Sequence, residues 1–176
     1  FINPSLVDTL KSDYSGSHVP GMGFLGNGTD FGILCEFNGS TAANYSQNSA
    51  SWSVLRLNTA IGTSGHWDAG SPDVGYTNYN SLMRGYPDNG EMLTNSPFPP
   101  SYTYNIGKGN SLQLWSSIRS GANVHKEYLN MCLVAETADA SVALNNVKTG
   151  LHGAYNAGWV NNFYGSALHG FEVWGN

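Results

Sequence analysis

The sequence predicts an all-β fold: an antiparallel β-sandwich or jelly-roll-like domain with long loops and a short N-terminal helix. Three observations carry this reading. Asn and Ser contribute about twenty residues each, with 22 Gly, in a chain of 176. These residues compete with the helix backbone for hydrogen bonds or cost entropy inside a helix. Several short apolar segments rich in β-branched and aromatic residues are bounded by Gly, Asn and Pro turn signals. Helical periodicity is confined to one short stretch near the start.

That stretch is residues 3–14, NPSLVDTLKSDY, with Asn3 as N-cap, Pro4 at the first helical position and Leu6, Val7 and Leu10 on one face. It reads as a helical lead-in (1–14) to a single β-rich body (15–176), and at this length it is marginal without packing. Residues 18–30 are punctuated by glycines and read as a turn or bulged strand. Residues 31–37, FGILCEF, form a first clear strand, closed by Asn38-Gly39. After a polar loop, residues 52–58, WSVLRLN, form a second.

From Thr59 to Pro100 the alternation fades and turn signals crowd in, as at Ser71-Pro72-Asp73 and Tyr86-Pro87-Asp88-Asn89-Gly90. Such a tract is either functional loop or short strands without a clear pattern. Strands are expected again at 112–118 (LQLWSSI), 128–135 (YLNMCLVA), more weakly at 142–147 (VALNNV), and at 170–174 (GFEVW), with a loop over 119–126. The tripeptide Leu-His-Gly occurs at 151–153 and 168–170, each copy followed by aromatics. That echo is too short to define a repeat architecture.

Composition also excludes functions. The net charge is −5, and seven Lys and Arg are scattered singly, so no basic stripe exists to track phosphates. Nucleic acid is therefore not an expected partner. No apolar run approaches the ~20 residues of a membrane span, and the chain begins at Phe1 without a signal-peptide pattern, as a mature chain or an excised fragment would. Cys35 and Cys132 sit within apolar segments and are expected to be free and buried, the alternative being an inter-strand disulfide.

No catalytic motif stands out. The nearest approach to a nucleophile elbow, residues 62–66 (GTSGH), lacks the spacing, and Gly21–Gly28 lacks the Lys-Ser/Thr of a phosphate loop. Glu36, Glu91, Glu127, Glu136 and Glu172 are too dispersed to mark a carboxylate pair for glycoside cleavage. His66, Asp68 and Asp73 offer an imidazole and two carboxylates in eight residues, but no calcium-loop pattern accompanies them. The five His share no zinc spacing, so a metal is left open and no cofactor is expected. Asn27, Asn38 and Asn44 head Asn-X-Ser/Thr triplets, which arise readily in a chain of this composition.

What the chain does offer is aromatics beside amides. Sugars are held by aromatic faces against their apolar side and by amides or carboxylates on their hydroxyls. Two tracts have that make-up: Trp67, Tyr76 and Tyr79, and then Tyr155, Trp159, Asn161, Asn162 and Tyr164. The competing reading of each aromatic is an ordinary half-buried core position.

With its leading segment 3–14, its low-charge polar body and its aromatic ending FEVWGN, the chain resembles the C-terminal receptor-binding tips of bacteriophage tail fibres. The resemblance is compositional and spread over the whole chain. It implies a homotrimer that binds lipopolysaccharide, capsule or a surface protein without chemistry, displayed outside the cell on the virion. The short His-X-His metal motifs of some such tips are absent here. A secreted lectin, or a polysaccharide hydrolase or depolymerase, are the alternatives.

Overall fold

The computed structural model describes residues 7–10, 17–19, 23–25, 33–35, 37–42, 45–58, 66–85, 89–97, 104–105, 111–151, 154–156, 159–160 and 167–175. Within them lie sixteen strands, numbered in chain order, and no helix. They form a β-sandwich of two seven-stranded sheets in which every pairing is antiparallel.

The first sheet runs β1 (Val7–Leu10), β4 (Ile33–Cys35), β13 (Thr149–Leu151), β6 (His66–Pro72), β7 (Asn78–Gly85), β8 (Asn89–Pro97) and β9 (Tyr104–Asn105). The second runs β12 (Cys132–Thr137), β11 (Val124–Leu129), β10 (Ser111–Gly121), β5 (Ala50–Asn58), β16 (Ala167–Gly175), β3 (Gly23–Leu25) and β2 (Ser17–Val19). A separate pair joins β14 (Ala154–Tyr155) to β15 (Trp159–Val160).

The apolar core follows strand alternation. On β5, Ala50, Trp52 and Val54 are buried, and on β10 Trp115 is fully buried opposite them; Met92, Ala69, Leu151 and Cys35 come from the first sheet. Phe37, Tyr45 and Trp52 stack edge to face with centroids 5.2 to 6.1 Å apart. The Trp52 indole donates to the Tyr45 hydroxyl at 2.6 Å, and that hydroxyl donates to Asn95 Oδ1 at 3.0 Å. Gly39 is required beside this cluster, because a Cβ there would fall 2.9 Å from the Tyr45 ring.

Several sequence expectations are corrected. Val7–Leu10, inside the expected helix, is a strand paired to β4. A short helix cannot nucleate cheaply, whereas pairing satisfies the backbone against a sheet already formed. The remainder of residues 3–14 lies outside the described residues. The tract that lost its alternation, 59–100, supplies β6, β7 and β8, the middle of the first sheet. The expected 119–126 loop is the end of β10, a tight turn and the start of β11, and the expected 128–135 strand is split by a hairpin turn at Asn130-Met131.

Residues 142–147 form no strand. Instead Asn145 and Asn80 exchange two 2.8 Å hydrogen bonds, Asn145 N–H to Asn80 Oδ1 and Asn80 Nδ2–H to Asn145 O. Val142 N–H donates to Asn95 O, and Ser141 N–H to Ala122 O. Side-chain amides thus replace a ladder. Leu151, the described residue of the first Leu-His-Gly copy, is on β13, and the second copy is on β16 in the other sheet. Both cysteines are free as expected, but only Cys35 is buried; Cys132 is exposed.

Candidate ligand-binding site

The β6–β7 hairpin is closed by Asp73, whose N–H donates to Asn78 O at 2.8 Å while its carbonyl accepts from Tyr76 N–H at 3.1 Å. Its carboxylate holds the rest of the turn. Oδ1 accepts from Thr77 N–H at 2.7 Å, and Oδ2 accepts from the Thr77 hydroxyl at 2.8 Å and Asn78 Nδ2 at 2.9 Å. Burial alone would raise this carboxyl, but the hydrogen bonds from Thr77 and Asn78 outweigh it and hold it below the usual carboxylate range.

At the tip of this braced turn Val74 is 85% exposed and Tyr76 42%. Tyr76 has φ 54°, whereas the neighbouring Gly75 is not left-handed. An L side chain there costs about 1–2 kcal/mol relative to the right-handed region. The turn therefore puts an aromatic residue, rather than its glycine, in the strained position and presents that ring to solvent.

The other expected site residues divide. Trp67 lies on β6 in register with Arg84, at the opposite end of the strand from the tip. Tyr155 pairs across with Trp159 in the β14–β15 ribbon, and strand β14 packs against strand β6. Tyr155 is half-buried. Tyr79 is 2% exposed, buried on β7 opposite Pro72 and Ser96, and offers no open ring face; it is withdrawn as a platform. Asn161, Asn162 and Tyr164 lie outside the described residues. The His66–Asp73 metal reading does not hold together: Asp68 is buried in β6 while Asp73 closes the turn. Among the described residues no three His, Cys, Asp or Glu side chains are placed to hold a metal ion.

A second cluster was not singled out by the sequence. Between the sheets, Ser117 and His125 Nε2 are 2.8 Å apart, and Thr94 Oγ1 is 2.7 Å from the Ser117 hydroxyl. Glu127 Oε1 approaches His125 Nδ1 at 3.8 Å. The order Ser–His–Glu is that of a hydrolytic triad, but the chemistry is not. All three side chains are buried to 1% exposure or less, so a nucleophile there meets no substrate. Burial, reinforced by the Arg119 charge, pushes His125 down to about 4. Burial, with Asp139 and Glu91 nearby, pushes Glu127 up to about 8. Both are neutral at pH 7, and 3.8 Å is too long for a hydrogen bond, so the contact is not a salt bridge.

Arg119 anchors this interior. Its Nε donates to Thr94 O at 2.7 Å, one terminal nitrogen to Asp139 O at 2.9 Å, and the other to the Ser96 hydroxyl. Burial lowers its pKa, opposed by Asp139 and Tyr45. The signal that could have revealed the cluster is the alternation Gln113, Trp115, Ser117, Arg119, one face of a single strand.

No protein-family profile matches the chain, and no curated protein matches it. Its fold has clear counterparts among solved structures. A structure of botulinum neurotoxin type C, whose cell entry depends on interaction with two ganglioside molecules, superposes with TM-score 0.64 at 12% identity over 94% of this chain and 42% of that one. The binding domain of botulinum neurotoxin DC in complex with SialylT gives 0.62 and 13%, again over 94% of this chain and 42% of that one. The carbohydrate-binding module CBM66 from Bacillus subtilis gives 0.53 and 14%, over 94% of this chain and 93% of the module. The chain thus spans about two fifths of the toxin binding domains but nearly all of the module.

Proposed function

We propose that this chain is a non-catalytic adhesion domain that recognises carbohydrate on a cell surface, as a bacteriophage tail-fibre tip does on a bacterial polysaccharide. The observation that carries the reading is the fold match to a whole carbohydrate-binding module, 94% of one chain on 93% of the other. The low-charge, amide-rich composition points the same way. In this reading the aromatics at the two ends of β6 contact ligand: Tyr76 at the hairpin tip, and Trp67 with Tyr155 and Trp159 beside the β14–β15 ribbon.

The fibre reading adds a homotrimer displayed outside the cell, with a surface protein as the other partner class. Asn38 bears on the secreted-lectin alternative. Its side-chain amide nitrogen donates to Asn146 Oδ1 at 2.8 Å and its side-chain Oδ1 accepts from Ser40, so in the folded chain this triplet is occupied by its own contacts. Two measurements test the proposal together. Light scattering after size exclusion is expected to give a mass near three chains, and purified bacterial surface polysaccharides are expected to bind saturably without release of reducing ends. A single-chain mass removes the fibre reading; release of reducing ends replaces adhesion with depolymerisation.

A further inference from the structure

Two loops, one carrying Asn38, Ser40 and residues 46–49, the other residues 141–146, are tied to each other and to the first sheet. Two buried asparagines make the second tie. Asn95, 0% exposed on β8, donates from Nδ2 to Ser46 O at 3.1 Å and Gln47 O at 3.2 Å, and its carbonyl accepts from Val142 N–H at 2.9 Å. One residue thus fixes both loops. It does so at φ 48°, in the left-handed region, although it is not glycine. Strain of that kind persists only where the surroundings over-determine it, and it gathers at sites with a function. Asn80, 1% exposed on β7, holds the second loop through its two hydrogen bonds with Asn145. Asn145 in turn donates to Asn78 O at 3.2 Å, at the base of the β6–β7 hairpin.

On these fixed backbones three exposed side-chain amides are each held by one end. Gln47 Nε2 donates to the Ser141 carbonyl at 3.4 Å and hydroxyl at 3.1 Å, and that hydroxyl donates to Asn48 Oδ1 at 2.6 Å. Asn146 Oδ1 accepts from Asn38 Nδ2 at 2.8 Å and from the Ser40 hydroxyl at 3.2 Å. The opposite ends, Gln47 Oε1, Asn48 Nδ2 and Asn146 Nδ2, have no hydrogen-bond partner among the described residues, and all three side chains are exposed. An anchored amide has already given up the rotamer freedom that an exposed Asn or Gln loses on binding, so its open end is offered at reduced entropic cost.

The open ends are one acceptor and two N–H donor groups. A hydroxyl both donates and accepts, so a run of sugar hydroxyls can answer all three, whereas a phosphate or ionised carboxylate only accepts and leaves Gln47 Oε1 unanswered. A peptide backbone offers donors and acceptors only at fixed, separate groups, while each hydroxyl serves as either. Neither 38–49 nor 141–146 contains Lys, Arg, Asp or Glu, so the contacts these loops offer are neutral hydrogen bonds.

We infer that the face shared by these two loops is a subsite for sugar hydroxyls, with Asn48 and Asn146 Nδ2 donating to them and Gln47 Oε1 accepting. The inference rests on the glycan-binding reading above and adds to it the polar contacts and their place on the fold.

Asn48→Asp and Asn146→Asp isolate the open ends, because each keeps the anchored oxygen and replaces the free amide nitrogen by an oxygen that cannot donate. Met131→Asp, on the β11–β12 turn of the other sheet, controls for the added charge. The full chain is titrated by interferometry against immobilised dextran, mannan, galactan, chitin oligosaccharides and bacterial lipopolysaccharide, with casein peptides in parallel. Wild type is expected to bind at least one glycan. Each Asn→Asp variant should weaken that binding about fivefold and the pair about tenfold or more, with Met131→Asp within about twofold and unfolding midpoints near wild type. On ¹⁵N-labelled wild type, the side-chain amide resonances of Asn48 and Asn146 should shift as the bound glycan is added, while that of buried Asn80 stays in place. Glycan binding that the double variant retains, or that leaves both resonances unshifted, overturns the subsite and spares the glycan reading. Binding to casein peptides alone, lost in the double variant, overturns the sugar assignment. Binding to no glycan overturns the subsite and the glycan reading together.

Discussion

Glu127→Gln should remove a pH dependence that the native fold builds into its own interior. Glu127 is 1% exposed, and burial first, then Asp139 and Glu91, raise its carboxyl to about 8 from an ordinary 4.5. A group with a raised folded pKa contributes stability that is fully present below its unfolded value and is lost as pH rises through the folded one. His125 works in the opposite sense. Its folded value near 4 lies below 6.5, so stability is lost as pH falls through that window. Between about 4.5 and 6.5 the two slopes cancel.

Above 6.5 the glutamate is no longer offset by His125 and contributes about 1.4 kcal/mol per pH unit. From 6.5 to about 8 the loss comes to about 2 kcal/mol. With a urea dependence of about 2 kcal/mol per molar, that is a midpoint shift of about 1 M. The assay is urea unfolding followed by the fluorescence of the buried Trp52 and Trp115 from pH 5 to 9. Wild type should lose about 1 M between pH 6.5 and 8.5. Glu127→Gln should match wild type to within about 1 kcal/mol at pH 6 and gain about 3 kcal/mol on it by pH 8.5. The difference between the two proteins isolates Glu127. A wild-type midpoint that is level or rising over this range, or a variant that keeps the wild-type decline, refutes the reasoning.

Three further outcomes follow from the same geometry. Met131, at φ 66° and 82% exposed in the β11–β12 turn, follows Asn130 at φ 51° where Asn-Gly is the favoured pair. Met131→Gly should therefore raise stability by about 0.5–1 kcal/mol, read as a higher urea midpoint. Arg119→Met strands Thr94 O, Asp139 O and the Ser96 hydroxyl without their donor. It should cost about 3 kcal/mol or more, seen as a midpoint lowered by over 1 M or as insoluble chain. With a thiol reagent such as a disulfide dye, the native protein should react quickly at one cysteine, the exposed Cys132. Cys35, buried with its thiol pushed up to about 12, should react only after unfolding.

The central strand of the second sheet, β5, was legible because its alternation is apolar: Trp52 and Val54 inward, Ser51 and Ser53 less buried between them. The middle of the first sheet was not, because its interior is polar. Asp68, Ser71, Asn80, Ser81, Thr94, Asn95 and Ser96 are all buried, and a hydrophobic pattern cannot register strands whose inward residues are hydroxyls and amides. The serine pair Ser71–Ser81 and the Thr94–Ser117 pair show how that interior closes on itself, each within 2.9 Å.

Turn chemistry misled in a related way. Asn130-Met131 lacks the glycine that announces a two-residue hairpin, so two strands read as one. Of the aromatics, Tyr76 was recognisable from its place after Ser71-Pro72-Asp73, a turn signal that the Asp73 carboxylate makes real. Tyr79 lay three residues on, past the turn and into a strand, and nothing local distinguished it from an exposed ring.

Saturable binding of the full chain to purified surface polysaccharide, followed by interferometry with the glycan immobilised, tests the central claim most directly. A saturating response to at least one surface polysaccharide, diminished by Tyr76→Gly, is the predicted result. A protein that is folded by its tryptophan fluorescence yet binds no polysaccharide, neutral or charged, would contradict the account.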